Sequence, residues 1–182
     1  MLPDDLVAAH FRAMETGDRR LAEQCIHPDH VNFMAADEPP ACSKPGVPGF
    51  LATSAWLRSA FTELHFEVVD LLSDEVTSIA HTLMRGRQSG PFVVYPPGSA
   101  AVAFPPSGRA FEVRHCHVFT VEDGRHISHR AVRDDLGMMT QLGHLPPTPR
   151  VALRMMRFAV SGASRRAVRT ATTLADTAST LE

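Results

Sequence analysis

Alternation of apolar and polar side chains is sharpest between residues 110 and 122. Phe111, Val113, His115, His117, Phe119 and Val121 share one side of an extended chain. Glu112, Arg114, Cys116, Thr120 and Glu122 share the other, with Val118 the one apolar residue among them. The spacing therefore predicts a strand that turns both histidines inward. Asp123-Gly124 follows, a pair suited to the positive φ values of a tight hairpin turn, and a second strand returns over residues 125–134. A two-residue turn sets Val121 opposite His126, His117 opposite Arg130, His115 opposite Val132 and Val113 opposite Asp134. On this register the inner face of the return strand carries His126, Ser128, Arg130, Val132 and Asp134. Asp134 then stands diagonal to His115, with Cβ atoms about 7–8 Å apart.

The rest of the pattern predicts helices first and strands later. Leu6, Val7, His10, Phe11 and Met14 recur at helical spacing over Pro3–Glu15, and Asp18 caps a second short helix through Cys25. His27-Pro28-Asp29-His30 reads as a turn, and residues 31–34 as a short strand. Ala35–Gly49, with four prolines, reads as a loop that covers something. A helix over Phe50–Phe61 carries the lone tryptophan, Trp56, and two strands follow at 65–72 and 76–87. Residues 90–106 hold two proline pairs and predict an extended loop or an edge hairpin. Leu136–Leu142 predicts a short helix. The sum is an α+β chain whose strongly curved sheet wraps the N-terminal helices into a cone.

The proline-rich break at 144–149 divides residues 1–144 from an extension, 145–182, in which Thr148 caps and Pro149 starts a helix. The 182-residue chain has a net charge of −2, but residues 150–182 hold six Arg against Asp176 and Glu182, so the extension is +4 and the body −6. Such a basic amphipathic tail suits packing on its own domain or a sister subunit better than a membrane surface. Nothing global points to nucleic acid. Three scattered cysteines form no disulfide framework or zinc motif, and the N-terminus lacks a signal-peptide pattern, so a cytoplasmic protein is expected. The Gly-rich nucleotide loops, HExxH and GxSxG are all missing.

Chemistry concentrates on the hairpin. A carboxylate at Asp134, facing an apolar interior beside His115, His117 and Arg130, is a group that exchanges protons near neutral pH. His129 and Asp135 face outward by the same parity. The His115-x-His117 spacing with His126 also suits a metal, but no further carboxylate or Cys sits at ligand spacing, so no metal is expected.

Several runs carry a resemblance. His115-x-His117-x-Phe119, Glu122-Asp123-Gly124-Arg125, His129, Asp134-Asp135-Leu136-Gly137-Met138 and Gln141-Leu142-Gly143 resemble the closing motif of SnoaL-like polyketide cyclases. These ester cyclases lie within the nuclear-transport-factor-two-like superfamily. Val31-Asn32, Trp56 through Phe61, Phe66-Glu67-Val68 and Pro105-Pro106-Ser107-Gly108-Arg109 agree in order, so the likeness spans residues 3–143. It departs at Phe33 and Arg130, where the family has His and Trp, and in a lengthened loop before Pro105.

The resemblance implies a cone-shaped α+β barrel, usually a dimer or tetramer, without metal or organic cofactor. It implies an aspartate acid/base at Asp134, acting in an intramolecular aldol closure of a polyketide ester, an isomerase or lyase type of reaction. Catalysis is thus expected from Asp134 and His115, and contacts to a small hydrophobic ligand from His117, Arg130, Asn32 and Trp56. Two other readings fit the same residues: epoxide hydrolysis in the same pocket, or a non-catalytic ligand-binding or accessory protein.

Overall fold

A computed structural model describes residues 3–180. Helix α1 (Pro3–Thr16) leads into α2 (Arg19–Cys25), whose first turn is capped by the Asp18 side chain accepting from Leu21 N at 3.1 Å. Strand β1 (Ile26–Asn32), two 3-10 turns (Ala35–Asp37 and Pro40–Ser43) and helix α3 (Gly46–Ala60) follow. Then come β2 (Phe61–Ser73), β3 (Thr77–Gln88), the short pair β4 (Phe92–Val94) and β5 (Val102–Phe104), β6 (Ala110–Glu122) and β7 (Arg125–Arg133). Helices α4 (Asp135–Gln141), α5 (Pro149–Val160) and α6 (Ala163–Thr180) close the chain.

The main sheet has the order β1-β7-β6-β3-β2, antiparallel except where β1 runs parallel to β7. Two register shifts in β2 bend it, one of them at Glu63, which holds a positive φ of 56°. The concave face wraps α1 and α3, and the core forms between them: Leu6, Val7, Phe11, Phe61, Phe66, Phe111 and Phe119 are all nearly inaccessible. The α+β cone expected from the pattern is therefore the fold. The expected edge hairpin is β4–β5, a separate two-stranded sheet. The expected turn at 27–30 lies within β1, but its pairing with β7 breaks between Ile26 and Val31, so the chain bulges there as Pro28 demands.

The hairpin opens as predicted. Asp123 and Gly124 take φ values of 48° and 70°, and Val121 pairs with His126. One step further the register changes, because Thr120 pairs with Ser128 and leaves Ile127 as an extra residue on β7. This bulge reverses the parity of the rest of the strand. His117 consequently faces Ala131 rather than Arg130, and His115 faces Arg133 rather than Val132.

The extension is two helices, broken at Gly162, which holds a φ of 73°. Helix α6 lies on α3, burying Ala171 and Ala175. That cover explains why α3 is buried on nearly every side. No described helix is long and apolar enough to cross a membrane.

Candidate active site

Between the sheet and the helices lies a cavity of about 480 Å³. Phe11, Phe50, Trp56, Phe61, Phe66, Phe92 and Phe104 make most of its wall apolar. One polar side is built by β1, the first 3-10 turn, α3, β6, the end of β7 and the start of α4, which bring Asn32, Asp37, Glu38, Thr53, His115, His117, His129, Arg133 and Asp135 to its lining.

At the centre of this side is Arg133. Its guanidinium meets Asp37 at 3.0 Å, Asp135 at 3.2 Å and Glu38 at 3.7 Å. Burial works against its charge, but Asp135, Asp37 and Glu38 together hold its pKa above the usual value. Three carboxyls face one cation, so they cannot all ionise cheaply. The most enclosed of them is Glu38, only 5% exposed. Its carboxyl accepts from Thr53 Oγ1 at 2.7 Å and from Asn32 Nδ2 at 3.5 Å. Burial outweighs these bonds and the pull of Arg133 and lifts its pKa from 4.5 to about 7. Asp135 is half-buried, and burial, opposed by Arg133, raises its pKa too.

The histidines form a second layer. Asn32 Oδ1 accepts from Met34 N at 3.0 Å, so its 3.2 Å contact with His129 Nδ1 requires the imidazole to donate. His129 Nε2 is then bare and accepts from His117 Nδ1 at 2.9 Å, which leaves His117 Nε2 a lone pair, buried and without a partner in the described residues. Burial, reinforced by His115 and Arg133, lowers His117 to about 3; burial and Arg133 lower His115 to about 4. Both are neutral at ordinary pH: His117 offers a lone pair, its N–H being given to His129, and His115 offers one N–H and one lone pair rather than charge. Among the described residues, no group of three or more His, Cys, Asp or Glu is arranged to hold a metal.

His115, His117, Asn32 and Trp56 thus reach the cavity wall as expected. Trp56 is tied by Nε1 to Val93 O at 2.8 Å and serves as apolar wall. Two placements require correction. Asp134 does not line the cavity: it is exposed and caps α4, accepting from Gly137 N at 2.8 Å. Arg130 is also outside, exposed, with its guanidinium 4.2 Å from the ring centre of Phe33. Both errors have one cause, the extra residue at Ile127, which turns His129, Arg133 and Asp135 inward in place of Ser128, Arg130 and Asp134. The two residues that depart from the family pattern, Phe33 and Arg130, therefore touch each other on the outer face. Glu38 was missed altogether. Its only sequence signal is an acidic pair, Asp37-Glu38, just before two prolines in a loop expected to cover something.

The comparisons with known proteins agree with this architecture. A family model described as SnoaL-like polyketide cyclase matches residues 5–142. The aklanonic acid methyl ester cyclase DnrD of Streptomyces peucetius is 30% identical over 146 residues, covering 80% of this chain and 93% of that protein. The aklanonic acid methyl ester cyclase DauD of Streptomyces sp. strain C5 is also 30% identical over 146 residues, covering 80% of this chain and 84% of its own. Among solved structures, TsrD from Streptomyces laurentii superposes with a TM-score of 0.63 at 29% identity, covering 78% of this chain and 95% of its own. IdmH from Streptomyces antibioticus gives 0.60 at 25% identity, covering 79% and 99%.

Proposed function

This chain belongs to the SnoaL-like polyketide cyclase family, and on that premise we propose that it closes a ring in a polyketide-like ester by an aldol-type reaction, with Glu38 as the acid/base. The observation that carries this reading is a carboxyl sealed in an apolar cavity, titrating near neutrality beside a fixed guanidinium.

The chemistry follows from that arrangement. A C–H flanked by two carbonyls needs only a weak base, provided the enolate is stabilised as it forms. Ionised Glu38 takes this proton and becomes neutral, which its surroundings favour. Arg133 and the N–H of His115 are the donors available to the enolate oxygen. The enolate carbon then forms a bond to the carbonyl carbon at the other end of the chain. The resulting alkoxide takes the proton back from Glu38. One C–H bond and the π bond of the attacked carbonyl are broken, one C–C and one O–H are formed, and Glu38 ends as it began. The apolar wall keeps water from the enolate and folds the chain back on itself. Asp135 and Asp37 hold Arg133 in place. A homodimer, implied by the resemblance, belongs to the same proposal.

Aklanonic acid methyl ester, named for both curated relatives, is the probe. Glu38→Gln is expected to lower its turnover at least about a hundredfold while the fold is retained, the usual scale for a positioned proton carrier. Turnover within a few-fold of the unchanged chain would remove Glu38 from the mechanism.

A further inference from the structure

The extension begins after the residues matched by the family model, yet α6 reaches the site from behind. Ala175, fully buried, packs with Ala35, Ala41, Cys42 and Ala52 in a small cluster of its own. Ala35 opens the 3-10 turn that ends at Asp37, next to Glu38, and Ala41 and Cys42 lie in the turn that follows. Lys44, at the end of the second turn, donates to Ser179 Oγ at 2.8 Å. Tyr95 makes a third tie. Its backbone N–H donates to Asp37 O at 2.8 Å, while its hydroxyl meets Thr172 Oγ1 at 3.0 Å and Val168 O at 3.3 Å on α6. Tyr95 directly follows β4, and Phe92, Val94, Pro96, Pro97 and Phe104 of that hairpin region line the cavity.

We infer that α6 is a positioning element of the site: through Ala175, Ser179 and Thr172 it sets the Asp37–Glu38 turn and holds the β4–β5 hairpin closed over the cavity. The proposal rests on the assignment of Glu38 above for its catalytic meaning, but not for its geometry. The acidic side chains of the turn are tied to α3 by Thr53 and to β7 by Arg133, but its backbone has no sheet ladder or long helix of its own. Its backbone is held by the hairpin, and the hairpin is held by α6. Loosening α6 lets water reach Glu38, and a hydrated carboxyl returns toward its ordinary proton affinity.

The test uses the full-length chain and reads Glu38 directly, by the pH titration of its side-chain carbon in 13C-labelled protein, alongside aklanonic acid methyl ester turnover. Ala175→Leu wedges α6 away from the turn. The double variant Thr172→Val, Ser179→Ala removes the side-chain ties without adding bulk and leaves the Tyr95 hydroxyl only the Val168 carbonyl. Thr173→Leu, on the exposed side of the same helix, is the control. The expected result is a Glu38 midpoint that falls by about one pH unit or more in the first two and stays put in the control. An unchanged midpoint in the double variant, with only a lower melting temperature, would overturn the proposal and make α6 a stabilising cover. A midpoint that moves while turnover does not supports the positioning role and counts instead against Glu38 as the catalytic group. Should Ala175→Leu fail to fold, the double variant decides alone.

Discussion

Glu38 carries a cost that a purely structural residue would not. In an unfolded chain its carboxyl ionises near 4.5, and in the folded protein burial lifts this to about 7. The raised value means that its contribution is most favourable below the unfolded pKa and is lost as pH rises from about 4.5 through 7. Glu38→Gln keeps the shape and removes the ionisation, so it is expected to raise stability by about 3 kcal/mol at pH 8 and by about 2 kcal/mol at pH 6, where the folded carboxyl has regained its proton. Denaturant melts at the two pH values, beside the turnover measurement above, would show a variant more stable and less active, the mark of a residue kept for function. Asp134 predicts the reverse. Its exposed carboxylate bonds Gly137 N, and a Cβ at Gly137 would lie 2.1 Å from its Oδ2. Asp134→Ala is expected to cost about 1 kcal/mol as a lost helix cap and to leave turnover within about threefold, too small a change for the loss of a proton carrier. A hundredfold loss of turnover with normal melting would restore it to the mechanism.

At the scale of the element, the bulge at Ile127 decides what the sheet shows to each side. The alternation along β6 and the Asp123-Gly124 turn were legible because the period of two and the positive-φ pair are written into the chain. Ile127 was not, since an inserted residue leaves no mark in a pattern already mixed, and every position after it was read on the wrong face. Glu38 was illegible for another reason: its loop has no periodicity, and only α3, β1 and β7 together make it a site. The same bulge gives the outer face its character. Leu72 pairs with Ile79, Ile79 with Val118, and Val118 with Arg130, so one row crosses four strands to the Arg130–Phe33 contact. Val132, 77% exposed, lies in the next row beside Cys116. Such a sheet face suits a second copy of the chain. Ile79→Asp with Val132→Asp is expected to convert a dimer to monomer in size-exclusion chromatography with light scattering. A dimer that survives both changes would move the interface elsewhere.

Across the whole molecule, the inner lining makes folding depend on histidines staying neutral. His10, His30, His115, His117, His126 and His129 converge on the cavity and the helix α1 side of the sheet, and His10 Nδ1 lies 3.2 Å from His126 Nδ1. Burial is the first cause of the depression in each, and neighbouring histidines add to it for His10, His30, His117, His126 and His129. His144, wedged between Arg154 and Gln88 where the extension leaves the body, is lowered to about 4 by burial and the arginines. A lowered folded-state pKa means that the unfolded chain binds protons first. Stability is therefore full above about 6.5 and declines as pH falls toward 4. Each such group forfeits roughly 2 kcal/mol by pH 5, so a handful together rival the entire 5–15 kcal/mol that holds an ordinary domain folded. Glu38 pulls the other way, but it is one group against several. The chain is expected to lose its far-UV dichroism cooperatively between about pH 6 and 4, and replacing His126 by Phe, which suits its stack on Phe119, is expected to move that midpoint downward. A chain still folded at pH 4 would mean that these imidazoles find water or partners when charged, and that the cavity is wetter than its lining indicates.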